Sequence, residues 1–200
     1  MSNNRMAMMK DTSACVACYA CRVACQNQNG LPEDQTYLSL AFTEKGTFPN
    51  VKQHLARKSC MHCVEAACAT ACPIGILHHT EQGLVNFVDG SNEGCLGCGL
   101  CETACPIDGA LEMRDNKAYK CTGCEELVAE GLEPACVDTC IAAALHFGPV
   151  EEMLDLANER LARVESQNPD ANLFGADSQG ASMGVVSILR SSPAEFELLK

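Results

Sequence analysis

Aromatic side chains are scarce in this sequence, which has no Trp and an aromatic fraction of only 4%. Because aromatic residues normally supply much of the buried area of a core, a conventional hydrophobic core should be thin. Long apolar runs are also missing, since nothing approaches the roughly 18 consecutive apolar residues typical of a membrane-spanning helix. The first ten residues, MSNNRMAMMK, contain neither an apolar signal-peptide core nor twin arginines. The sequence therefore predicts neither a membrane span nor an export signal of its own.

Cysteine is the residue in excess, at 16 of the 200 residues. That density indicates that covalent or inorganic cross-links replace part of the core. Disulfide scaffolds belong to short secreted chains that carry an export signal. A metal framework is therefore the better interpretation.

The formal net charge is −12, and thiolate-bound clusters would make the assembled protein still more negative. Such a surface repels nucleic acid and anionic lipid. It suits a partner with a basic docking face, although solubility alone would also account for the charge.

The cysteines fall into four groups of four, and every group begins with C-x2-C and ends with C-x3-C. In chain order the groups are Cys15, Cys18, Cys21 and Cys25; Cys60, Cys63, Cys68 and Cys72; Cys95, Cys98, Cys101 and Cys105; and Cys121, Cys124, Cys136 and Cys140. Groups one and three have the bacterial ferredoxin spacing, in which three cysteines hold one [4Fe–4S] cluster and the fourth ligates its neighbour. Proline follows the last cysteine of groups two and three, as in that motif. Four clusters use all sixteen thiolates, which favours iron.

Zinc is the main alternative for group four. Eleven residues separate its second and third cysteines, which resembles the gap between two zinc knuckles. The three ferredoxin-like groups beside it favour iron here as well.

Histidine is an alternative ligand in some iron–sulfur proteins, and three histidines, His62, His78 and His79, lie in or just after group two. With sixteen thiolates available, we expect them to be solvated or hydrogen-bonded near the clusters. Lys120 immediately precedes Cys121. It either offsets cluster charge or is an ordinary exposed lysine.

Hydrophobic periodicity and turn residues predict the elements between and after the groups. Residues 76–88 predict a β-hairpin that turns near Gly83, and residues 109–119 predict a second one that turns at Asp115 and Asn116. Residues 26–59 predict loops with a strand or two. The last fifty residues predict a helix over 150–166 and a strand over 183–189, whose role should be packing and docking.

The four groups, their order and the long interval in group four resemble the iron–sulfur subunits of the dimethyl-sulfoxide-reductase superfamily of molybdenum and tungsten oxidoreductases. The resemblance covers residues 11–147, and includes both Cys-Pro pairs and the Lys120–Cys124 segment, KCTGC. Residues 147–161, 172–175 and 185–189 resemble, more loosely, the tail of formate dehydrogenase β subunits. Membrane-bound members continue into an anchoring helix, so a chain that ends at Lys200 is expected to be soluble or anchored by another subunit.

The resemblance implies a nested set of ligands for four [4Fe–4S] clusters. Cluster 1 would be held by Cys15, Cys18, Cys21 and Cys140; cluster 2 by Cys25, Cys121, Cys124 and Cys136; cluster 3 by Cys60, Cys63, Cys68 and Cys105; and cluster 4 by Cys72, Cys95, Cys98 and Cys101. Spacing alone leaves other pairings open, such as group one with two and three with four.

The fold implied is a small α+β protein of two ferredoxin-like dicluster modules, stabilised mainly by its clusters and followed by a C-terminal helix and strand. Residues 11–147 would form the tetracluster domain, with an inner module near 58–110 and an outer module from 11–30 plus 117–147. Residues 148–200 would form the docking segment.

The function implied is non-catalytic electron transfer through the four clusters. One partner would be a catalytic subunit with a molybdenum or tungsten bis-pterin centre, of formate dehydrogenase type. The other would be a cytochrome, a quinone-reactive membrane subunit or a soluble carrier. The alternatives are a free-standing polyferredoxin that serves a hydrogenase or another soluble redox enzyme, and a zinc-stapled interaction module. The location is either the cytoplasm or, by export together with a signal-bearing partner, the periplasm.

Overall fold

A computed structural model describes residues 4–177 and 180–200 of the chain. The helices in these residues are α1 Ala20–Gln28, α2 Ala67–Thr70, α3 Leu100–Ala104, α4 Glu125–Ala129, α5 Ala135–Asp138 and α6 Val150–Glu165. The strands are β1 Met6–Asp11, β2 Leu38–Lys45, β3 Lys52–Ser59, β4 Leu77–His79, β5 Val85–Phe87, β6 Leu111–Arg114, β7 Lys117–Lys120, β8 Leu145–Pro149, β9 Asn172–Phe174, β10 Ala176–Asp177, β11 Gly180–Ala181 and β12 Val185–Leu189. This mixture of short helices and strands confirms the predicted small α+β class.

A four-stranded sheet in the order β8-β1-β12-β9 joins the two ends of the described chain. Its second strand, β1, runs parallel to β12 and antiparallel to β8. Side chains alternate between the two faces of a strand, so Ala7 and Met9 pack under α6, whereas Met8 packs among cysteines on the other face. The sheet therefore separates a helix-covered layer from a cysteine-rich layer.

The predicted helix and strand of the tail are confirmed as α6 and β12. The sheet that they help to build was not predicted, because β1 and β8 carry no clear alternation in the sequence. The strand β8, Leu145–Pro149, crosses the boundary predicted after residue 147. Residues 178 and 179 lie outside the described part of the sequence.

Three antiparallel hairpins lie between the cysteine groups. The predicted hairpins of residues 76–88 and 109–119 are confirmed as β4–β5 and β6–β7, and the predicted strands of residues 26–59 form the long hairpin β2–β3. The turn between β6 and β7 consists of Asp115 and Asn116, with φ of 46° and 58°. Two consecutive residues with positive φ form the type I′ turn that suits two-residue hairpins.

The short helices pack in two pairs, α1 with α5 and α2 with α3. These pairs join cysteine group one to group four and group two to group three. None of the helices within residues 4–177 and 180–200 has both the length and the apolar character required to cross a bilayer.

Candidate metal centres

A left-handed residue precedes the second cysteine of every group. These residues are Ala17, His62, Gly97 and Gly123, with φ of 54°, 47°, 70° and 73°. A backbone that switches into the left-handed region reverses direction within one residue. The first two cysteines of each group therefore lie on a tight loop rather than along an extended strand.

A second left-handed residue follows the second cysteine in groups one and three. Tyr19 and Gly99, with φ of 62° and 73°, are the N-caps of α1 and α3. The third cysteines, Cys21 and Cys101, consequently lie in the first turn of a helix. The C-x2-C-x2-C segment thus forms a tight loop and then the first turn of a helix. This geometry brings the three cysteines close together.

Site 1 is the set Cys15, Cys18, Cys21 and Cys140, whose side chains line one cavity. Three of them come from group one, and Cys140 follows α5. The backbone N–H of Ala144 donates a hydrogen bond to Cys140 Sγ at 3.3 Å. The pairing of α1 with α5 brings these distant segments together.

Site 2 is the set Cys25, Cys121, Cys124 and Cys136, which lines a second cavity. Burial and the charges of the neighbouring cysteines raise the pKa of Cys25 to about 12. Burial likewise raises the pKa of Cys136 to about 12, although the charge of Arg57 opposes this shift. The side chain of Asn29 donates to Cys25 Sγ at 3.6 Å, and the N–H of Gly123 donates to Cys121 Sγ at 3.4 Å.

Site 3 is the set Cys60, Cys63, Cys68 and Cys105. Burial raises the pKa of Cys68 to about 11, and the charges of Cys60 and Cys105 add to the rise. Burial also raises the pKa of Cys63, with further contributions from Cys105 and Cys68. The four cysteines are therefore electrostatic neighbours, and the N–H of His62 donates to Cys60 Sγ at 3.4 Å.

Site 4 is the set Cys72, Cys95, Cys98 and Cys101, which lines a further cavity with apolar side chains such as Ile76 and Leu77. Burial raises the pKa of Cys101 to about 11. Here α2 and α3 pack together, which brings Cys72 of group two beside group three.

The four sites follow one another in a row. Between sites 1 and 2, Cys21 is a charge neighbour of Cys136. Between sites 2 and 3, Cys60 is a neighbour of Cys121 and also lines the site 2 cavity. Between sites 3 and 4, Cys68 and Cys105 pack in the same apolar cluster as Cys101. Each site therefore has cysteine neighbours in the next one.

The donor chemistry fits iron–sulfur clusters. Thiols with raised pKa values resist ionisation when they are crowded in a buried place, so the thiolate form requires a bound cation at the same place. A [4Fe–4S] cluster is such a cation-bearing group, and it is held by four cysteine thiolates. The backbone and side-chain N–H groups directed at sulfur are a feature that tunes cluster potentials.

Group four does not gather around a single point. Cys121, Cys124 and Cys136 line the cavity of site 2, whereas Cys140 lines that of site 1. Within residues 4–177 and 180–200, no three His, Cys, Asp or Glu side chains are grouped to hold a single metal ion. The division of group four argues against a four-cysteine zinc site in it.

His62 and His79 near group two make hydrogen bonds, as predicted, whereas the buried Nδ1 of His78 has no hydrogen-bond partner among the described residues. His62 is buried, and its Nδ1 accepts a hydrogen bond from the N–H of Val85 at 3.0 Å. Burial, with a contribution from the charge of Lys120, holds its pKa well below the usual value, so the ring is neutral. His79 Nε2 lies 3.0 Å from the carbonyl oxygen of Cys63.

Two buried basic side chains of this region, Lys10 and Arg57, were not revealed by the sequence. Lys10 and Arg57 lie beside the cysteines of site 1, and both are buried. Lys120 is only 1% exposed, so the interpretation of Lys120 as an exposed lysine is wrong. Once the strands are known, their two-residue period places Lys10 on the same face of β1 as Met8, and Arg57 on the same face of β3 as Leu55.

The two end sites reach the surface. Cys18 of site 1 and Cys98 of site 4 are exposed. Exposed apolar side chains flank each one: Val16 and Ile141 lie beside site 1, and Ile74, Leu96 and Leu100 beside site 4. Sites 2 and 3 contain no exposed cysteine.

Comparison with known families gives one matching model. Residues 51–150 match a family described as a 4Fe-4S dicluster domain. The match includes every cysteine of groups two, three and four.

Individual relatives are similar over most of the chain. The nitrate-inducible formate dehydrogenase iron-sulfur subunit of Escherichia coli (strain K12) is 32% identical over 88% of this chain and 66% of its own length. The formate dehydrogenase-O iron-sulfur subunit of the same organism is 35% identical over 88% of this chain and 64% of its own length. The B subunit of its anaerobic dimethyl sulfoxide reductase is 35% identical over 72% of this chain and 73% of its own length. The chain thus spans about two thirds of the length of these formate dehydrogenase subunits.

Proposed function

We propose that this protein relays single electrons through four [4Fe–4S] clusters. It belongs to the 4Fe–4S dicluster family, together with the iron–sulfur subunits of formate dehydrogenase and dimethyl sulfoxide reductase. The clusters would be bound at sites 1 to 4 by the sixteen cysteines. The chain itself performs no substrate chemistry in this proposal. Electrons pass between a catalytic subunit and a second redox partner.

The observation that carries the proposal is the row of four cysteine sets. An iron–sulfur cluster supplies one-electron chemistry when it is bound. The residues of this chain fix the sulfur atoms on loops and helix starts, direct N–H groups at several of them, and surround them with apolar side chains. Adjacent sets are direct electrostatic or packing neighbours, which suits transfer from each site to the next.

The proposed ligand sets define two dicluster modules. Sites 1 and 2 draw their cysteines from groups one and four, whose helices α1 and α5 pack together. Sites 3 and 4 draw theirs from groups two and three, whose helices α2 and α3 pack together. This nesting supports an outer module from 11–30 plus 117–147 and an inner module near 58–110.

The two ends of the row are the proposed points where electrons enter and leave. Only sites 1 and 4 have an exposed cysteine, and exposed apolar side chains lie beside each one. Exposed apolar patches on a soluble protein mark interaction sites. One partner would dock over Cys18 and the other over Cys98.

The first proposed partner is a molybdenum or tungsten pterin subunit of formate dehydrogenase type. The formate dehydrogenase subunits align with 88% of this chain, against 72% for the dimethyl sulfoxide reductase subunit. The second partner is a cytochrome, a quinone-reactive membrane subunit or a soluble carrier.

A free-standing polyferredoxin is the second candidate. It requires no docking segment, and the tail argues against it because β12 pairs with β1 in the four-stranded sheet and α6 packs on that sheet. Size-exclusion chromatography of the native protein separates the two: elution with a much larger subunit supports the complex, and elution as a small single chain supports the carrier.

The proposal is tested by a coulometric reductive titration of the anaerobic protein, monitored by electron paramagnetic resonance. We expect an uptake of about four electrons per chain, one for each cluster. The Cys18→Ala and Cys98→Ala variants should each lose one of these electrons. Uptake of about two electrons, or of none, would contradict a relay of four clusters.

A further inference from the structure

Three basic side chains are buried in the cysteine-rich layer. Lys10, Arg57 and Lys120 are 3%, 5% and 1% exposed. Seven ion pairs occur in the described part of the chain, and none of them includes these three residues. Arg57 and Lys120 are thus basic groups in the interior without a carboxylate partner, whereas burial lowers the pKa of Lys10 to about 7.

The hydrogen-bond acceptors of these three side chains are neutral and supply no counter-charge. Lys10 Nζ donates to the carbonyl oxygen of Arg57 at 2.8 Å, and Arg57 donates to Ser59 Oγ at 3.0 Å. Lys120 Nζ donates to the carbonyl oxygens of Val85 and Cys121, both at 2.5 Å. Because burial of an uncompensated charge is strongly unfavourable, the balancing negative charge has to come from neighbouring groups.

Arg57 lies between sites 1 and 2. It lines both cavities. Burial alone would lower its pKa, but the charges of Cys136, Cys21 and Cys121 raise that pKa above its usual value. Cys21 lines the site 1 cavity with Arg57, and Cys121 and Cys136 line the site 2 cavity with it. Thiolates that bind a cluster at either site would therefore supply the counter-charge of the guanidinium.

Lys120 has the same relation to sites 2 and 3. Its ammonium is bonded to the carbonyl of Cys121, a member of site 2. A chain of hydrogen bonds connects it to site 3: Lys120 Nζ donates to the carbonyl oxygen of Val85, whose N–H donates to His62 Nδ1. The backbone N–H of His62 donates in turn to Cys60 Sγ. Site 4 differs, because the described residues that line its cavity include no charged side chain.

We propose that Arg57 and Lys120 are fixed positive charges shared by adjacent clusters, Arg57 by clusters 1 and 2 and Lys120 by clusters 2 and 3. The inference rests on the proposed function. A cluster gains negative charge when it is reduced, so a nearby buried cation favours the reduced form and raises the reduction potential. Both residues are positioning residues, since they act on the reduction potential of a cluster. Cluster 4 has no such cation beside it, so its potential is not raised in this way.

The test compares reduction potentials by electron paramagnetic resonance in Arg57→Gln, Arg57→Lys, Lys120→Gln and Lys120→Arg variants of the full chain. We expect Arg57→Gln to shift two of the four midpoint potentials to more negative values, and Lys120→Gln also to shift two. The two variants should share one shifted cluster, cluster 2. The Arg57→Lys and Lys120→Arg variants keep the charge and should retain potentials near those of the wild type.

The matched control is Lys52→Gln, which removes the same charge at the exposed end of β3, the strand that carries Arg57. It should leave all four potentials unchanged. Equal shifts in the control and in Arg57→Gln, or four unshifted potentials in a fully loaded Arg57→Gln protein, would overturn the inference.

Iron content makes the test decisive even when a variant assembles poorly. Loss of iron from Arg57→Gln but not from Arg57→Lys supports a requirement for the positive charge. Loss of iron from both variants overturns the inference, because it shows that the shape of the Arg57 side chain matters rather than its charge. A wild-type protein without clusters contradicts the proposed function, whereas wild-type clusters with unshifted variants contradict only this inference.

Discussion

Glycines with positive φ lie near the cysteines, and the space around each one determines which substitutions it tolerates. Gly97 has φ of 70°, and a Cβ added to it would lie 2.5 Å from the carbonyl oxygen of Asn116. Gly30 has a similar φ of 58° but no atom within 4 Å of such a Cβ. The two glycines therefore separate the effect of backbone strain from that of crowding.

We expect Gly30→Ala to lower the free energy of unfolding by about 1 kcal/mol, which is the typical strain of a left-handed alanine. Gly97→Ala should lower it by more than about 2 kcal/mol, because crowding against Asn116 adds to the same strain. Chemical denaturation of the loaded proteins measures both values. Equal losses would show that the tight approach at Gly97 has no energetic consequence.

The nested ligand sets predict a long-range effect of one cysteine. Cys140→Ala should remove or convert the cluster bound with Cys15, although the two residues lie far apart in the chain. Cys136→Ala, four residues earlier, should instead damage the cluster of site 2. Electron paramagnetic resonance of the reduced variants distinguishes them, and damage to the same cluster in both would refute the nesting.

At the residue scale, spacing predicted the grouping of cysteines but not their charged surroundings. Each C-x2-C is a contiguous pattern with a known geometric consequence. Arg57 and Lys10 have no such pattern, because a basic residue on a strand is ordinarily exposed. Their burial depends on which strands pair, and that follows from contacts between distant segments.

At the scale of elements, α6 stabilises the sheet through one face. Ala157 is fully buried against β1 and β12, whereas Ala162, on the same helix, is exposed. A closely packed interface does not accept three additional carbon atoms without displacement of its neighbours.

Ala157→Leu should therefore lower the free energy of unfolding by about 1–3 kcal/mol. The same change at Ala162 should have an effect within about 0.5 kcal/mol, because that side chain is in solvent. Thermal unfolding followed by circular dichroism measures both. An equally mild effect at Ala157 would mean that α6 does not pack tightly on the sheet.

Local elements were predictable and the central sheet was not. The hairpin turn at Asp115 and Asn116 and the apolar stripe of α6 are signals carried by neighbouring residues. In contrast, β1 pairs in parallel with β12, at the opposite end of the sequence. Nothing in either segment identifies its partner, so the long-range pairing required the structure.

For the whole molecule, folding and cluster assembly are expected to be coupled. The core contains cysteines such as Cys25 and Cys136. Without clusters these thiols would be neutral, which would leave the buried cations beside them without a counter-charge. Metal-dependent domains commonly remain unfolded until their ligands are engaged.

We expect the apo protein to have little ordered secondary structure and to gain it when clusters are reconstituted. Circular dichroism before and after anaerobic reconstitution measures the change, and a zinc-loaded sample is the control for nonspecific metal effects. A fully folded apo protein would contradict the coupling.

The central claim is that the sixteen cysteines hold four iron–sulfur clusters. Its most direct test is the iron and acid-labile sulfide content of the anaerobically purified protein, together with its visible absorption. We expect about sixteen iron and sixteen sulfide ions per chain and a brown colour, as four [4Fe–4S] clusters require. A colourless protein that contains zinc and no iron would contradict the account.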